Sequence, residues 1–225
     1  MTQEPPRSFS ATSMILAPGP VLWAIILACI GVELVLLAAD NDILGSRLWR
    51  SNAYQYGGFW AGLVDDWRPN YPAQPWLMFF SYAFLHAGVF HLLGNMVTLV
   101  ALAPYMNERV SQLGLLVVYS FSALGGGAVF ALISDAPQVM VGASGAIFGL
   151  IGALITWGAQ ERVQNGETQA VTLRAIGMLI AANVVMWLLL GGVLAWETHL
   201  GGFIAGVVAA LLWEPDAAEQ DGEDI

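Results

Sequence analysis

The sequence contains no lysine. Its seven basic residues are all arginines, set against 17 acidic ones, so there is no basic patch with which to hold a nucleic acid. A single cysteine, Cys29, excludes a disulfide within the chain and a cysteine-based metal site. Charge of either sign is scarce: 11% of residues carry it, where a soluble domain has about a quarter. Histidine is scarcer still, with only His86, His91 and His199. No internal repeat is visible, which counts against an inverted-repeat transporter.

What the chain has instead is apolar length. Residues are 57% hydrophobic and fall into six runs, at 21–39, 89–106, 113–133, 143–157, 173–191 and 198–213. Several approach the roughly 20 residues that cross a bilayer as a helix. The expected fold is an all-α membrane protein, a bundle of six transmembrane helices over residues 21–213. A polar segment, 1–20, precedes it. The tail, 214–225, carries Glu214, Asp216, Glu219, Asp221, Glu223 and Asp224 and reads as a solvated, disordered end. The first run outlasts a signal-peptide core of about 7–15 residues and ends in Asp40-Asn41-Asp42, so it reads as a retained helix. Glu33 lies inside it, and the expectation is a carboxyl turned to the bundle or reaching for the interface. Between the first and second runs, Trp49, Trp60, Trp67, Tyr54, Tyr56 and Tyr71 mark a loop embedded in the outer leaflet, because such rings favour the membrane interface.

Alternating direction puts the starts of the second, fourth and sixth helices on one side of the membrane. His86 and His91 flank the first of these starts, Ser144 opens the second and His199 the third. All three histidines and a serine set among glycines and alanines thus share one level. The fourth and sixth runs are 15 and 16 residues long, roughly 23 Å as helix against a hydrocarbon core of about 30 Å. Their starts are expected to lie in a sunken, wet pocket. With the N-terminus inside, four arginines (Arg7, Arg109, Arg162, Arg174) are cytoplasmic and three (Arg47, Arg50, Arg68) are outside. That bias favours a pocket that opens to the outside, and the expected location is a cell's inner membrane.

A serine hydroxyl becomes a useful nucleophile when a neighbouring base takes its proton, and histidine is the usual base. Ser144 and His199 can meet only if their helices come close. Gly145, Gly149 and Gly152 clear a stripe on one, and Gly202 and Gly206 clear a stripe on the other, as small-residue spacings do in membrane helix pairs. An oxyanion needs donors: the free amides at the start of the fourth helix, and His91 and Asn95, four apart on one face of the second. Glu197, two residues before His199, points elsewhere on its helix, so a dyad without an acid is expected. Phe148, one turn after Ser144, has two readings, a ring that stacks on the imidazole or an ordinary core phenylalanine. His86 and His91 are about 140° apart on a helix, no H-E-x-x-H motif is present, and no metal is expected.

Gly142-Ala143-Ser144-Gly145, His199 with Gly202 and Gly206 behind it, and Tyr82-Ala83-Phe84-Leu85-His86 running into His91-Leu92-Leu93-Gly94-Asn95-Met96 resemble the rhomboid intramembrane serine proteases, over roughly residues 76–213. The resemblance implies a cofactor-free protease whose partners are the lipid bilayer and the transmembrane proteins it cuts, near small or helix-breaking residues. It implies Ser144 as nucleophile, His199 as base, and the Ser144 amide, His91 and Asn95 as the oxyanion hole. It also implies a mobile cap at 192–197 and a substrate route bordered by Met186 and Trp187. Glu108 resembles an acidic position of the family. Two departures stand out. Phe148 occupies a position where tyrosine is frequent, and Trp76-Leu77 stands where the family's loop often has Trp-Arg. The alternative reading is a catalytically silent rhomboid-like binder of membrane clients, a class that usually lacks the serine or the histidine.

Overall fold

The computed structural model of the chain describes residues 18–134 and 137–213. The acidic tail at 214–225 and all but the last three residues of the polar segment 1–20 lie outside the described residues.

Among the described residues the secondary structure is eight α-helices and two single 3₁₀ turns. The apolar runs become α1 (Gly19–Asp40), α4 (Val89–Asn107), α5 (Gln112–Ile133), α6 (Ser144–Gln164), α7 (Ala170–Leu189) and α8 (Trp196–Leu212). Of these, α1, α4, α5 and α7 are long and apolar enough to cross a membrane by length and composition, and α8 is apolar at 17 residues. Local chemistry sets several ends. Pro20 sits in the first turn of α1, where its missing N–H costs nothing. Ser111 caps α5 by accepting from the Gly114 amide at 3.3 Å, as N-cap serines do.

The expected shortness of the fourth helix is corrected: α6 has 21 residues. Its apolar part does stop at Trp157, but Gln160, Glu161, Arg162 and Gln164 are good helix formers and carry it two turns further. Arg109 in the α4–α5 turn pairs with Glu161 on that extension. The helix ends at Gly166, in the left-handed region at φ +69°, with the Glu167 amide bonded back to the Arg162 carbonyl at 2.7 Å, a Schellman closure. The length argument for a sunken start therefore applies to α8 and not to α6.

The stretch between α1 and α4 is also more regular than its composition suggests. It contains α2 (Leu48–Gly57), a 3₁₀ turn (Ala61–Leu63), α3 (Gln74–Ser81) and a second turn (Tyr82–Phe84). Phe59 is fully buried and meets Phe79, Tyr82 and Phe130 edge to face. Its backbone exchanges two 2.9 Å hydrogen bonds with Met140, which ties this stretch to the chain just ahead of Ser144.

Glu33 is 2% exposed and faces α2, where Arg50 donates Nη1 and Nη2 to its two oxygens at 3.1 and 2.9 Å. Arg50 also donates to Asp40, seven residues along α1, at 2.6 Å. Burial works against the guanidinium cation, but its bonds to Glu33, Tyr54 and Asp40 outweigh that and raise its pKa above the ordinary value. Tyr54, one turn on, donates its hydroxyl to the His86 carbonyl at 2.6 Å. This pair of side chains joins α1, the loop helix and the approach to α4.

The centre of the molecule is α8, which packs against α6 and α5. A Cβ added to Gly202 would fall 1.8 Å from the Gly145 carbonyl oxygen, and one on Gly206 1.8 Å from that of Gly149. The two backbones touch, as the expected glycine stripes require. On its other side, α8 meets α5 in the same way: a Cβ on Gly201 would lie 2.4 Å from the Gly125 carbonyl oxygen. The run Gly125-Gly126-Gly127 is the sequence signal for this second contact. Farther along, Trp157 is buried and donates its indole N–H to the Ala210 carbonyl at 3.2 Å, holding the far end of the α6–α8 pair.

Candidate active site

The backbone contacts bring the starts of α4, α6 and α8 together. Ser144 is the first residue of α6, so its amide has no partner one turn earlier. His199 lies in the first turn of α8 and is 2% exposed. Ser144 Oγ is 2.8 Å from His199 Nε2, a hydrogen bond of ordinary length. Phe148, one turn along α6, lies flat on the imidazole, with centroids 4.1 Å apart and planes 8° from parallel.

The other ring nitrogen has a partner that the sequence reasoning missed. His199 Nδ1 is 2.8 Å from Asn183 Oδ1 on α7. The signal was available: within the apolar run at 173–191, Asn183 is the one side-chain amide, beside Arg174 and the Trp187 indole, and a polar group inside such a run is costly unless it is used.

His91 and Asn95 lie against Gly142, two residues before Ser144. The amide of Ala87 donates to His91 Nδ1 at 3.3 Å, which leaves Nε2 as the protonated, donating nitrogen. That edge of the ring lies over Gly142. A Cβ on Gly142 would come within 2.7 Å of His91 Cε1 and 3.6 Å of Asn95 Nδ2. Gly142 also has φ +130°, so both its space and its conformation suit glycine. Its amide is held by the Tyr82 carbonyl at 3.0 Å, while the Tyr82 hydroxyl donates to the Ala123 carbonyl at 2.9 Å. Asn95 is 8% exposed, and its Nδ2 has no protein partner. Two donors thus converge on the backbone that leads into Ser144. His86 is buried and packs edge-on against His91 at 5.3 Å. Among the described residues, no three His, Cys, Asp or Glu side chains are grouped to hold a metal ion.

A cavity of about 440 Å³ adjoins the pair between α6, α7 and α8, lined by Phe148, Ile180, Asn183, Trp187, His199 and Phe203 among others. Its walls are apolar apart from the imidazole and the amide. Such a cleft suits an apolar chain segment that must present one peptide bond to a polar pair.

The bundle and site describe a helical membrane protein with a serine and a histidine joined where two helices begin. Comparison with known proteins gives its family: the rhomboid domain matches residues 73–214, and the chain belongs to the rhomboid family as a multi-pass membrane protein. Rhomboid-like protease 1 of Toxoplasma gondii is 26% identical over 215 residues, which is 92% of this chain and 66% of the relative. Rhomboid protease GlpG of Yersinia pseudotuberculosis is 28% identical over 204 residues, 87% of this chain and 63% of the relative. RHOMBOID-like protein 1 of Arabidopsis thaliana is 32% identical over 158 residues, 68% of this chain and 38% of the relative. The matches to three Arabidopsis relatives cover only 31–40% of those proteins' own lengths.

Proposed function

We propose that the chain is an intramembrane serine endopeptidase that hydrolyses peptide bonds in or near the transmembrane segments of other membrane proteins. The observation that carries this reading is the 2.8 Å contact between Ser144 Oγ and His199 Nε2, built where α6 and α8 are in backbone contact.

The arrangement supports a two-stage acyl transfer. As Ser144 Oγ attacks the scissile carbonyl carbon, its proton passes to His199 Nε2. The carbonyl oxygen becomes an oxyanion beside the Ser144 amide, His91 Nε2–H and Asn95 Nδ2, and the positive end of the α6 dipole favours the charge. Collapse of the tetrahedral intermediate breaks the C–N bond, and His199 returns the proton to the leaving amine. Water then attacks the acyl-serine, again losing a proton to His199, and as the ester C–O bond breaks His199 returns that proton to Ser144 Oγ, freeing the product acid and the enzyme. Phe148 holds the ring by stacking on one face, and no metal or cofactor takes part.

The apolar cavity beside His199 fits a transmembrane segment unwound at the cut, and small or helix-breaking residues lower the cost of that unwinding. The four-to-three arginine distribution supports a site that opens to the outer side of the membrane, and the reading places the protein in a cell's inner membrane. In this reading, residues 21–213 form one protease domain, with 1–20 and 214–225 as flanking segments. The paired Ser144 and His199 favour the enzyme over a catalytically silent binder of membrane clients.

A fluorophosphonate probe tests the reading directly. The purified protein in detergent should be labelled at Ser144, and His199→Ala should reduce labelling at least about 100-fold, since general-base assistance contributes about 10²–10⁴. Equal labelling of wild type and His199→Ala would contradict it.

A further inference from the structure

We propose that Asn183 is a positioning residue for His199, fixing from α7 the tautomer and orientation in which the imidazole can accept the Ser144 proton. The inference rests on the protease reading above and goes beyond it, because that reading assigns no partner to His199 Nδ1.

For Nε2 to accept from the serine hydroxyl, the neutral ring must carry its proton on Nδ1. A ring protonated at Nε2 would instead donate to Ser144 Oγ and could not act as its base. Whatever faces Nδ1 selects between these forms. The facing atom is the carbonyl oxygen of Asn183, an acceptor at 2.8 Å. As the proton arrives at Nε2, the same oxygen continues to accept from Nδ1–H, and its dipole favours the imidazolium.

The origin of each contact matters as well. Ser144 and Phe148 both reach the ring from α6. Asn183 is the contact from α7, a helix with no buried residue along its 20 positions. The cavity lined by Ile176, Ile180 and Trp187 separates much of α7 from α6 and α8. A displacement of α7 away from the bundle would therefore leave Ser144, His199 and Phe148 in place yet remove the acceptor from Nδ1. The proton-accepting form of His199 thus depends on α7 being seated.

Two substitutions separate positioning from packing. Asn183→Leu keeps the branched shape at a larger volume, suits an apolar helix and removes the acceptor. Asn183→Asp keeps the acceptor and adds a charge. With a transmembrane reporter substrate in detergent micelles, Asn183→Leu should lower kcat about tenfold with KM within about twofold, and Asn183→Asp should stay within about threefold of wild type. A packing role would give the reverse order. Nitrogen-15 histidine NMR supplies a readout independent of turnover, and three histidines make the assignment tractable. His199 should show a hydrogen-bonded Nδ1–H that persists in Asn183→Asp and is lost in Asn183→Leu. An active wild type whose Asn183→Leu variant keeps both its kcat and its Nδ1–H signal overturns this proposal alone. A wild type with no proteolysis overturns the protease reading and, with it, any catalytic role for Asn183.

Discussion

Gly202→Ala is expected to abolish the site without touching either of its reactive residues. The added methyl would sit 1.8 Å from the Gly145 carbonyl oxygen and 2.6 Å from its carbon, and neither partner is a side chain that can swing away. The helices must separate by more than an ångström. Overpacking in a tight core costs about 1–3 kcal/mol and occasionally more; backbone against backbone belongs at the upper end, so a loss of about 3 kcal/mol is expected. A 1 Å misplacement of reacting groups costs roughly 10² in rate, and Ser144 and His199 ride on the two helices being pushed apart. Reporter cleavage should fall more than about 100-fold, with a lowered thermal midpoint in detergent. The contrast is Gly177→Ala on α7, where nothing lies within 4 Å of the new Cβ. That change should leave the fold intact, with stability unchanged or raised by up to about 1 kcal/mol, the usual gain of alanine over glycine inside a helix. If both substitutions behaved alike, helix propensity and not backbone contact would govern these glycines.

Breaking the Arg50–Glu33 pair should have the second-largest effect. Glu33 has a side chain 3% exposed and Arg50 one that is 20% exposed. Removing one partner of a buried pair strands the other charge and costs about 3–5 kcal/mol. The open rim around Arg50 and its second bond to Asp40 lower that expectation to about 2–3 kcal/mol for Arg50→Met. Glu33→Gln keeps the shape and leaves Arg50 bonded to Asp40, so it should cost less. The double variant Glu33→Gln/Arg50→Met should recover part of the loss, because no carboxylate is left buried without a partner. Chemical or thermal unfolding in detergent reads all three. Additive losses in the double variant would show that the two side chains are not energetically coupled. The pair also bears on the loop, because Arg50 ties α2 to α1 through Glu33 and Asp40.

How much of this was legible beforehand varied with the range of the interaction. The six long helices follow from apolar runs, and their common level follows from alternation of direction. Gly145, Gly149, Gly202 and Gly206 could be assigned to a contact because the spacing repeats every turn. Periodicity fails where the driving force is not apolar. Helix α6 runs on past Trp157 through polar residues of high helix propensity, which an apolar-run boundary cuts off. Helix α2 was hidden because Leu48–Gly57 has no buried residue and no apolar stripe to reveal it. Long-range polar pairs were out of reach for a different reason: Arg50 could meet any carboxylate the fold brought near, and only the fold brings Glu33, 17 residues away. Asn183 was visible as an isolated amide in an apolar helix, but its partner depends on how α7 leans on the bundle.

The central claim is that Ser144 is the nucleophile of an intramembrane protease, and the most direct test is cleavage of a transmembrane reporter by purified protein in lipid vesicles. Wild type should cut the reporter within or beside its membrane segment, and Ser144→Ala, which removes one oxygen and leaves the α6–α8 contact intact, should show no cleavage above the uncatalysed rate. Undiminished cleavage by Ser144→Ala would contradict the account.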